Sequence, residues 1–488
     1  MKKRSPGAWF DLLSPESLEK VHEASLTLLE EQGIYSESDL ILDLCARNGA
    51  RVNRENRSIH LSRDLVETAL HLAPASTILF GREKEKDLFL DPNRIYFGLG
   101  GSPEPYLWDY QTRKRRTPTK DDVINTARLG QALPEIDFVG SFCCAGDKPE
   151  DVQIFHEYEA ILTSTTKPFL YSAPGRFHTQ KFIEMAAIAS GGEEILRRRP
   201  SIGIFTETVS PMKVGKYSEG TIDAAEMGIP VIVALAPMMG ATSPSTRAGT
   251  LAQSNAEALF GVYLTQIIKA GSPVLFGPGT GTFDMKIAQY TYSSPEQTVA
   301  RAVVAQLGRA YGLPTYNLGG ATEAKIPDAE AGSQATMGML FNALAGINLT
   351  KVLGTMASGL YGSQEMLVIC NEIARMIRCI LEGVEVNEET LAVDVIQEVG
   401  FHGNYLTHPH TARVFKDEFF FPQLFVRQSI DKWEEKGQQT VLDRAYEEVQ
   451  KILEDFKAPD LPQGTEEDLG RIVKEAEKHL LEKKTKKK

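Results

Sequence analysis

The chain has 488 residues, 42% of them hydrophobic and 24% charged, with a formal net charge of -12. That balance suits a large folded core, and its acidity argues against a nucleic-acid partner, which requires basic surface to displace phosphate counterions. No apolar run approaches the roughly 20 residues that span a bilayer, and the start, MKKRSPGAWFDLL, lacks the apolar core of a secretory signal, so a cytoplasmic protein without membrane contact is expected.

Residues 1–90 read as an N-terminal helical layer. Ser14 precedes Pro15 as an N-cap before a first-turn proline, Leu18, Val21, Ser25, Leu28 and Leu29 recur at helical spacing, and Gly33 is the stop. Further helices are predicted over 39–48 and over 63–72, the latter before Pro74. From residue 93 the pattern changes to eight short apolar runs, at 94–97, 138–142, 168–171, 201–205, 230–235, 273–276, 314–318 and 347–353. Amphipathic stretches separate them, among them 121–133, 152–163, 179–188, 216–227, 250–270 and 295–311, at the spacing of strand–helix units. Eight such units over 91–400 predict an α/β fold of the closed (β/α)8 TIM barrel type. A doubly wound sheet is the alternative, but the GxGxxG fingerprint is spoiled by Pro278 between Gly277 and Gly279. Residues 401–488 form a mostly helical C-terminal extension whose charged segment 428–484, with Trp433 and Leu442, suits an outer layer or a homo-oligomer contact. The terminal run KKTKKK reads as a solvated, disordered end.

Ligands in such folds bind where strands end. The residues there are Phe97, Phe142, Tyr171, Phe205, Glu207, Phe276 and, in adjoining loops, Phe283, Glu323 and Tyr361. Aromatic faces with a few carboxylates bind quaternary ammonium ions, each ring contributing about 0.5 to 2 kcal/mol when desolvated. The plainer alternative for each ring is a core side chain. The loop after residue 318 carries Thr322, Glu323, Lys325 and Asp328 before a helix over 329–345, and Glu323 with Lys325 is either part of a site or a solvated ion pair. Among the five cysteines, the adjacent Cys143 and Cys144 read as a structural pair rather than soft metal ligands, because neighbours on a strand point to opposite faces. His402, His408 and His410 are candidates for contact with a substrate carboxylate or a partner; zinc is the competing assignment, and structural hydrogen bonding the default. No metal site is assigned.

The stretches GATSPST at 240–246 and AGSQATMGMLFNALAG at 331–346, together with Gly403-Asn404-Tyr405-Leu406 and His408-Pro409-His410-Thr411, resemble the trimethylamine methyltransferase family. The resemblance implies a (β/α)8 barrel that moves a methyl group from a methylamine to the cobalt of a corrinoid, a cofactor carried by a separate partner protein. Archaeal trimethylamine enzymes of that family contain pyrrolysine, and this chain reads through with ordinary residues. It therefore resembles the non-pyrrolysine branch, whose substrates are quaternary amines such as glycine betaine, proline betaine and carnitine. Glu207 and Glu323 are then the candidate catalytic carboxylates, and the aromatics and histidines above are candidate substrate contacts. A reduced corrinoid is itself the nucleophile, which matches a chain without a Ser-His-Asp or GxSxG arrangement. The competing readings are a barrel that only binds a quaternary amine, a trimethylamine-specific methyltransferase, and a Schiff-base enzyme using Lys325.

Overall fold

A computed structural model describes residues 9–100 and 103–487; residues 1–8, which open the segment read above for a targeting signal, and Lys488 of the basic tail lie outside the described residues. The fold is mixed α/β. Its central strands are β1 (Tyr96–Leu99), β2 (Phe169–Ser172), β3 (Ile202–Thr206), β4 (Val231–Leu235), β5 (Val274–Pro278), β6 (Tyr316–Leu318) and β7 (Leu349–Leu353). Each falls on one of the apolar runs, as strands covered on both faces should. Two parallel sheets result, with orders β2-β3-β4-β5 and β6-β7-β1. Single parallel bridges, Gly98 to Phe138, Val139 to Phe169 and Phe276 to Thr315, link them.

The run at 138–142 contributes only those bridges. Beside it the carboxylate of Asp137, rather than a strand carbonyl, accepts the Phe97 amide at 2.7 Å, which interrupts the ladder. Side chains from every central strand nevertheless meet inside: Tyr96, Phe138, Leu170, Phe205, Ile232, Leu275, Tyr316 and Leu349 form one buried cluster with Leu79, Leu88 and Leu90. The last three belong to a hairpin, Thr77–Leu79 with Leu88–Leu90, that closes the amino ends of the strands. Phe80 N donates to Pro200 O at 3.1 Å and Arg82 N to Thr166 O at 2.8 Å, both acceptors preceding strands. The opposite, carboxyl ends remain for a site.

The N-terminal layer contains the predicted helices, Pro15–Thr27, Asp39–Arg47 and Arg63–Leu72. Ser14 caps the first, its side chain accepting from Ser17 N at 3.2 Å. Besides the hairpin Thr77–Leu79 with Leu88–Leu90, the layer holds further short strands that the helical reading omits, Ile34–Ser36, Arg51–Asn53 and Ser58–His60. Ile34–Ser36 pairs in parallel with Lys213–Val214 beyond β3, which fastens the layer to the central fold. Gly33 permits the turn: its φ is +73°, and a Cβ there would lie 2.5 Å from Ile59 O. The helix Arg247–Ile268 is buried over most of its length because the layer covers its outer face.

In the C-terminal part, Val441–Asp455 packs on Gln364–Glu382, and Thr465–Lys487 packs on Gln153–Ser164 and Arg176–Ser190. The basic end, expected to be disordered, continues this last helix to Lys487. Lysine is a good helix former, and cations at a helix carboxyl end meet a favourable dipole. Among the described residues no helix is long and apolar enough to cross a membrane.

Candidate functional site

A cavity of about 270 Å³ opens at the carboxyl ends of the central strands. Glu207 follows β3, Ala234 and Leu235 end β4, Gly277 lies in β5, Tyr316 to Leu318 form β6, and Lys351 with Val352 comes from β7. Pro103 and Glu104 reach it from the loop beyond β1, Tyr292 from the loop beyond β5, and Thr355 and Gly359 from beyond β7. Among the described residues its wall includes no Ser, Cys or His.

Lys351 is the charged group at its floor. It is buried, and its Nζ lies 3.9 Å from the centroid of Phe205 and 5.3 Å from that of Tyr316. Among the described residues Nζ has no hydrogen-bond acceptor, so the two ring faces are its stabilising neighbours. Burial pushes its pKa down to about 8, opposed by the charges of Glu207 and Glu104. Glu104, 4% exposed, accepts a 2.8 Å hydrogen bond from Thr355 Oγ1 on Oε1, while Oε2 is buried without a partner. Desolvation pushes this carboxyl up to about 8. Burial also raises the phenols of Tyr292 and Tyr316, which keeps both as neutral hydroxyls.

Glu207 is the one candidate carboxylate in the cavity wall, on its solvent side, accepting from Ser172 Oγ at 3.2 Å. Glu323 is absent from the wall. Its carboxylate accepts the backbone amides of Tyr292 and Ser293, the latter at 3.1 Å, and the Ser293 hydroxyl. Desolvation raises its pKa, partly offset by those amides. Arg301, buried, donates to the carbonyl of the same Tyr292 and to Gln297 Oε1 at 3.1 Å. Burial pulls that guanidinium down to about 10. Glu323 and Arg301 thus hold Tyr292 by its backbone at both ends, and its ring faces the cavity.

The remaining aromatic candidates lie elsewhere, apart from Phe205 beneath Lys351. Phe97, Phe142, Tyr171 and Phe276 are fully buried in hydrophobic clusters. Tyr171 donates its hydroxyl to Glu157 Oε2 at 2.6 Å, and Phe276 meets Tyr311 edge-on at 5.4 Å. Phe283 sits in the strand Gly281–Asp284, paired with Tyr290, and Tyr361 donates to the Lys325 carbonyl while stacking on Trp108 at 6.4 Å. His402 is exposed, and His408 caps the helix Pro409–Glu418, accepting from His410 N at 3.1 Å and lying 3.5 Å from Glu398. None of these lines the cavity. Lys325 is exposed, its ammonium on the Glu323 carbonyl. Among the described residues no three His, Cys, Asp or Glu side chains form a metal-binding group.

Glu104, Tyr292, Tyr316 and Lys351 escaped the sequence reading. Two signals existed: Glu104 stands between prolines after a glycine-rich strand end, LGGSPEP, and Lys351 is the lone charge in the apolar run INLTKVLG. A charge inside such a run is buried on a strand and calls for a reason. Chemically, the cavity can hold a small ion between a carboxylate rim, phenol walls and a buried ammonium.

Residues 3–480 match the family described as Trimethylamine methyltransferase (MTTB). The chain is 35% identical to the trimethylamine methyltransferase MttB of Desulfitobacterium hafniense, over 95% of this chain and 93% of that one. It is 31% identical to a glycine betaine methyltransferase of Desulfitobacterium hafniense, over 93% and 94% of the two chains. It is likewise 31% identical to the trimethylamine methyltransferase MttB of Methanosarcina barkeri, over 97% and 96%.

Proposed function

This chain belongs to the trimethylamine methyltransferase family and is a methyltransferase, and from that premise we propose that it moves a methyl group from a betaine-type quaternary amine to the cobalt of a corrinoid carried by a separate protein. The observation that carries the reading is the cavity itself: a carboxylate at its rim and phenols in its wall, with no Ser, Cys or His among the described lining residues. Such a wall can bind and orient a cation, and the family membership supports a methyl acceptor carried by a partner. A reduced corrinoid on the partner would supply the nucleophile, while Glu207 and the phenol walls hold the substrate. The departing nitrogen keeps the C–N bonding pair, so a quaternary ammonium leaves as a neutral amine. An unprotonated tertiary amine would leave as an amide anion, a prohibitive step.

Within this proposal Glu207 attracts the ammonium at the rim, and Tyr292 and Tyr316 present apolar faces to the methyl groups. Glu323 is a positioning residue that acts through Tyr292. The central strands act as a (β/α)8 barrel, a reading supported by parallel bridges on both sides of each sheet and by the interior cluster with one side chain from each of the eight runs.

A homo-oligomer is proposed on a separate ground. Val384, Val386, Phe401 and Leu406 are 83%, 70%, 103% and 80% exposed in a single stretch of the C-terminal part. Apolar side chains gathered in this way mark association surfaces.

Trimethylamine is the second reading, favoured by the relatives that carry that name. Against it stands Lys351, a cation already seated in the cavity. The proposal is tested by incubating the purified chain with glycine betaine, alone and with a corrinoid protein reduced to Co(I). Betaine should persist in the first mixture, and methylated corrinoid should accumulate in the second; betaine turnover without corrinoid would overturn the proposal.

A further inference from the structure

The quaternary-amine reading leaves Lys351 unexplained. An aromatic face that serves a cationic substrate should be vacant, yet the Phe205 face carries the Lys351 ammonium at 3.9 Å, and Tyr316 lies 5.3 Å from the same nitrogen. The side chain is 7% exposed, and its nitrogen has no hydrogen-bond acceptor among the described residues. A buried ammonium without an acceptor is costly. Glu207 and Glu104 offset this charge electrostatically, but neither accepts a hydrogen bond from Nζ, so a contact partner for the ammonium is left to arrive with the ligand. Beside it, Glu104 Oε2 is a buried polar atom without a partner among the described residues, and both residues line the cavity.

We propose that Lys351 is the specificity-determining residue for an anionic group on the substrate, pairing with the carboxylate of a zwitterion whose ammonium faces Glu207. The inference rests on the betaine-type reading and names the residue that reads the carboxylate a few bonds from the nitrogen. The two ends of the cavity support it: Glu207 lies at the solvent-facing rim, beyond the end of β3, while Lys351 lies deeper, against rings of β3 and β6. A zwitterion oriented in this way directs its methyl groups toward the opening and its carboxylate toward the floor. A ligand with only a positive charge meets Lys351 as a like charge in a poorly solvated space. The expected order is therefore carboxylated betaines over choline, tetramethylammonium or protonated trimethylamine. Glu104, protonated, donates from Oε2 to the same carboxylate.

The test compares glycine betaine with its methyl ester, which keeps the quaternary nitrogen and loses the anion. Titration calorimetry of the full chain should show the betaine at least tenfold tighter than the ester, and Lys351→Met should lose that preference by weakening the betaine and sparing the ester. Equal binding of the two by the unaltered chain overturns the proposal, as does a preference that survives in Lys351→Met. The ligand comparison on the unaltered chain stands even where the variant fails to fold. If both compounds bind alike and both methylate the reduced corrinoid, the subsite falls and the function stands. If neither binds, the quaternary-amine reading falls and the subsite with it.

Discussion

Glu323 reaches the cavity only through Tyr292: its carboxylate accepts the Tyr292 amide, and the Tyr292 ring forms part of the cavity wall. Replacing Glu323 by Gln puts an amide NH2 among donors from Tyr292 and Ser293 and leaves one oxygen to serve them. Methyl transfer should fall at least tenfold, about 1.4 kcal/mol. Tyr292→Ala should produce a similar loss, and the double variant should lose little more than either single one, because both act on one ring. Fully additive losses would separate Glu323 from Tyr292.

Glu207 behaves differently. Its carboxylate is on the solvent side and holds one hydrogen bond, from Ser172. Glu207→Gln should therefore weaken substrate affinity by about tenfold while leaving the thermal midpoint within about 1 °C, since exposed substitutions stay within about 0.5 kcal/mol. A large loss of stability, or full affinity, would remove Glu207 from the site.

Glu104 gives a pH signature. Its carboxyl titrates near 8 in the folded chain against an ordinary 4.5. Between these values the unfolded chain releases the proton and the folded chain keeps it, so the stability this group contributes is complete below about pH 4.5 and is lost as pH rises through 8. Glu104→Gln cannot ionise. Its stability relative to the unaltered chain should rise by at least about 1.4 kcal/mol between acidic and mildly alkaline pH, the equivalent of one pKa unit. Denaturant unfolding across that range measures it, and a constant difference would show that Glu104 is solvated.

Phe142 is pressed between glycines: a Cβ on Gly362 would lie 2.3 Å from its ring and one on Gly354 2.9 Å. Phe142→Ala should cost about 3–5 kcal/mol, the range for truncating a buried aromatic. The ratio of betaine to choline affinity should not change. A shifted ratio without a stability loss would return Phe142 to the substrate cage.

The exposed apolar stretch predicts a mass by light scattering that is a multiple of 53.9 kDa. Phe401→Ser combined with Leu406→Ser should shift it toward the single chain. A monomer in the unaltered protein would leave those side chains unexplained.

The central strands were legible because burial on both faces turns a parallel strand into a short apolar run bounded by polar loops. The strands Ile34–Ser36, Arg51–Asn53 and Ser58–His60 were not, since three residues carry no period that a helix could not also show. At the site, Glu207 was legible as a carboxylate just past a strand. The aromatic positions were less so: a strand-end position does not tell which face a side chain takes, and Tyr171 and Phe276 sit in hydrophobic clusters while Tyr316 lines the cavity. Tyr292 was hidden for another reason, because its place depends on Glu323 and Arg301, distant in the chain from each other and brought together only by folding.

The most direct measurement is the absorbance of a Co(I) corrinoid protein mixed with this chain and either glycine betaine or trimethylamine at equal concentration. The account predicts conversion to methylated corrinoid with glycine betaine and little or none with trimethylamine. A faster conversion with trimethylamine would contradict it.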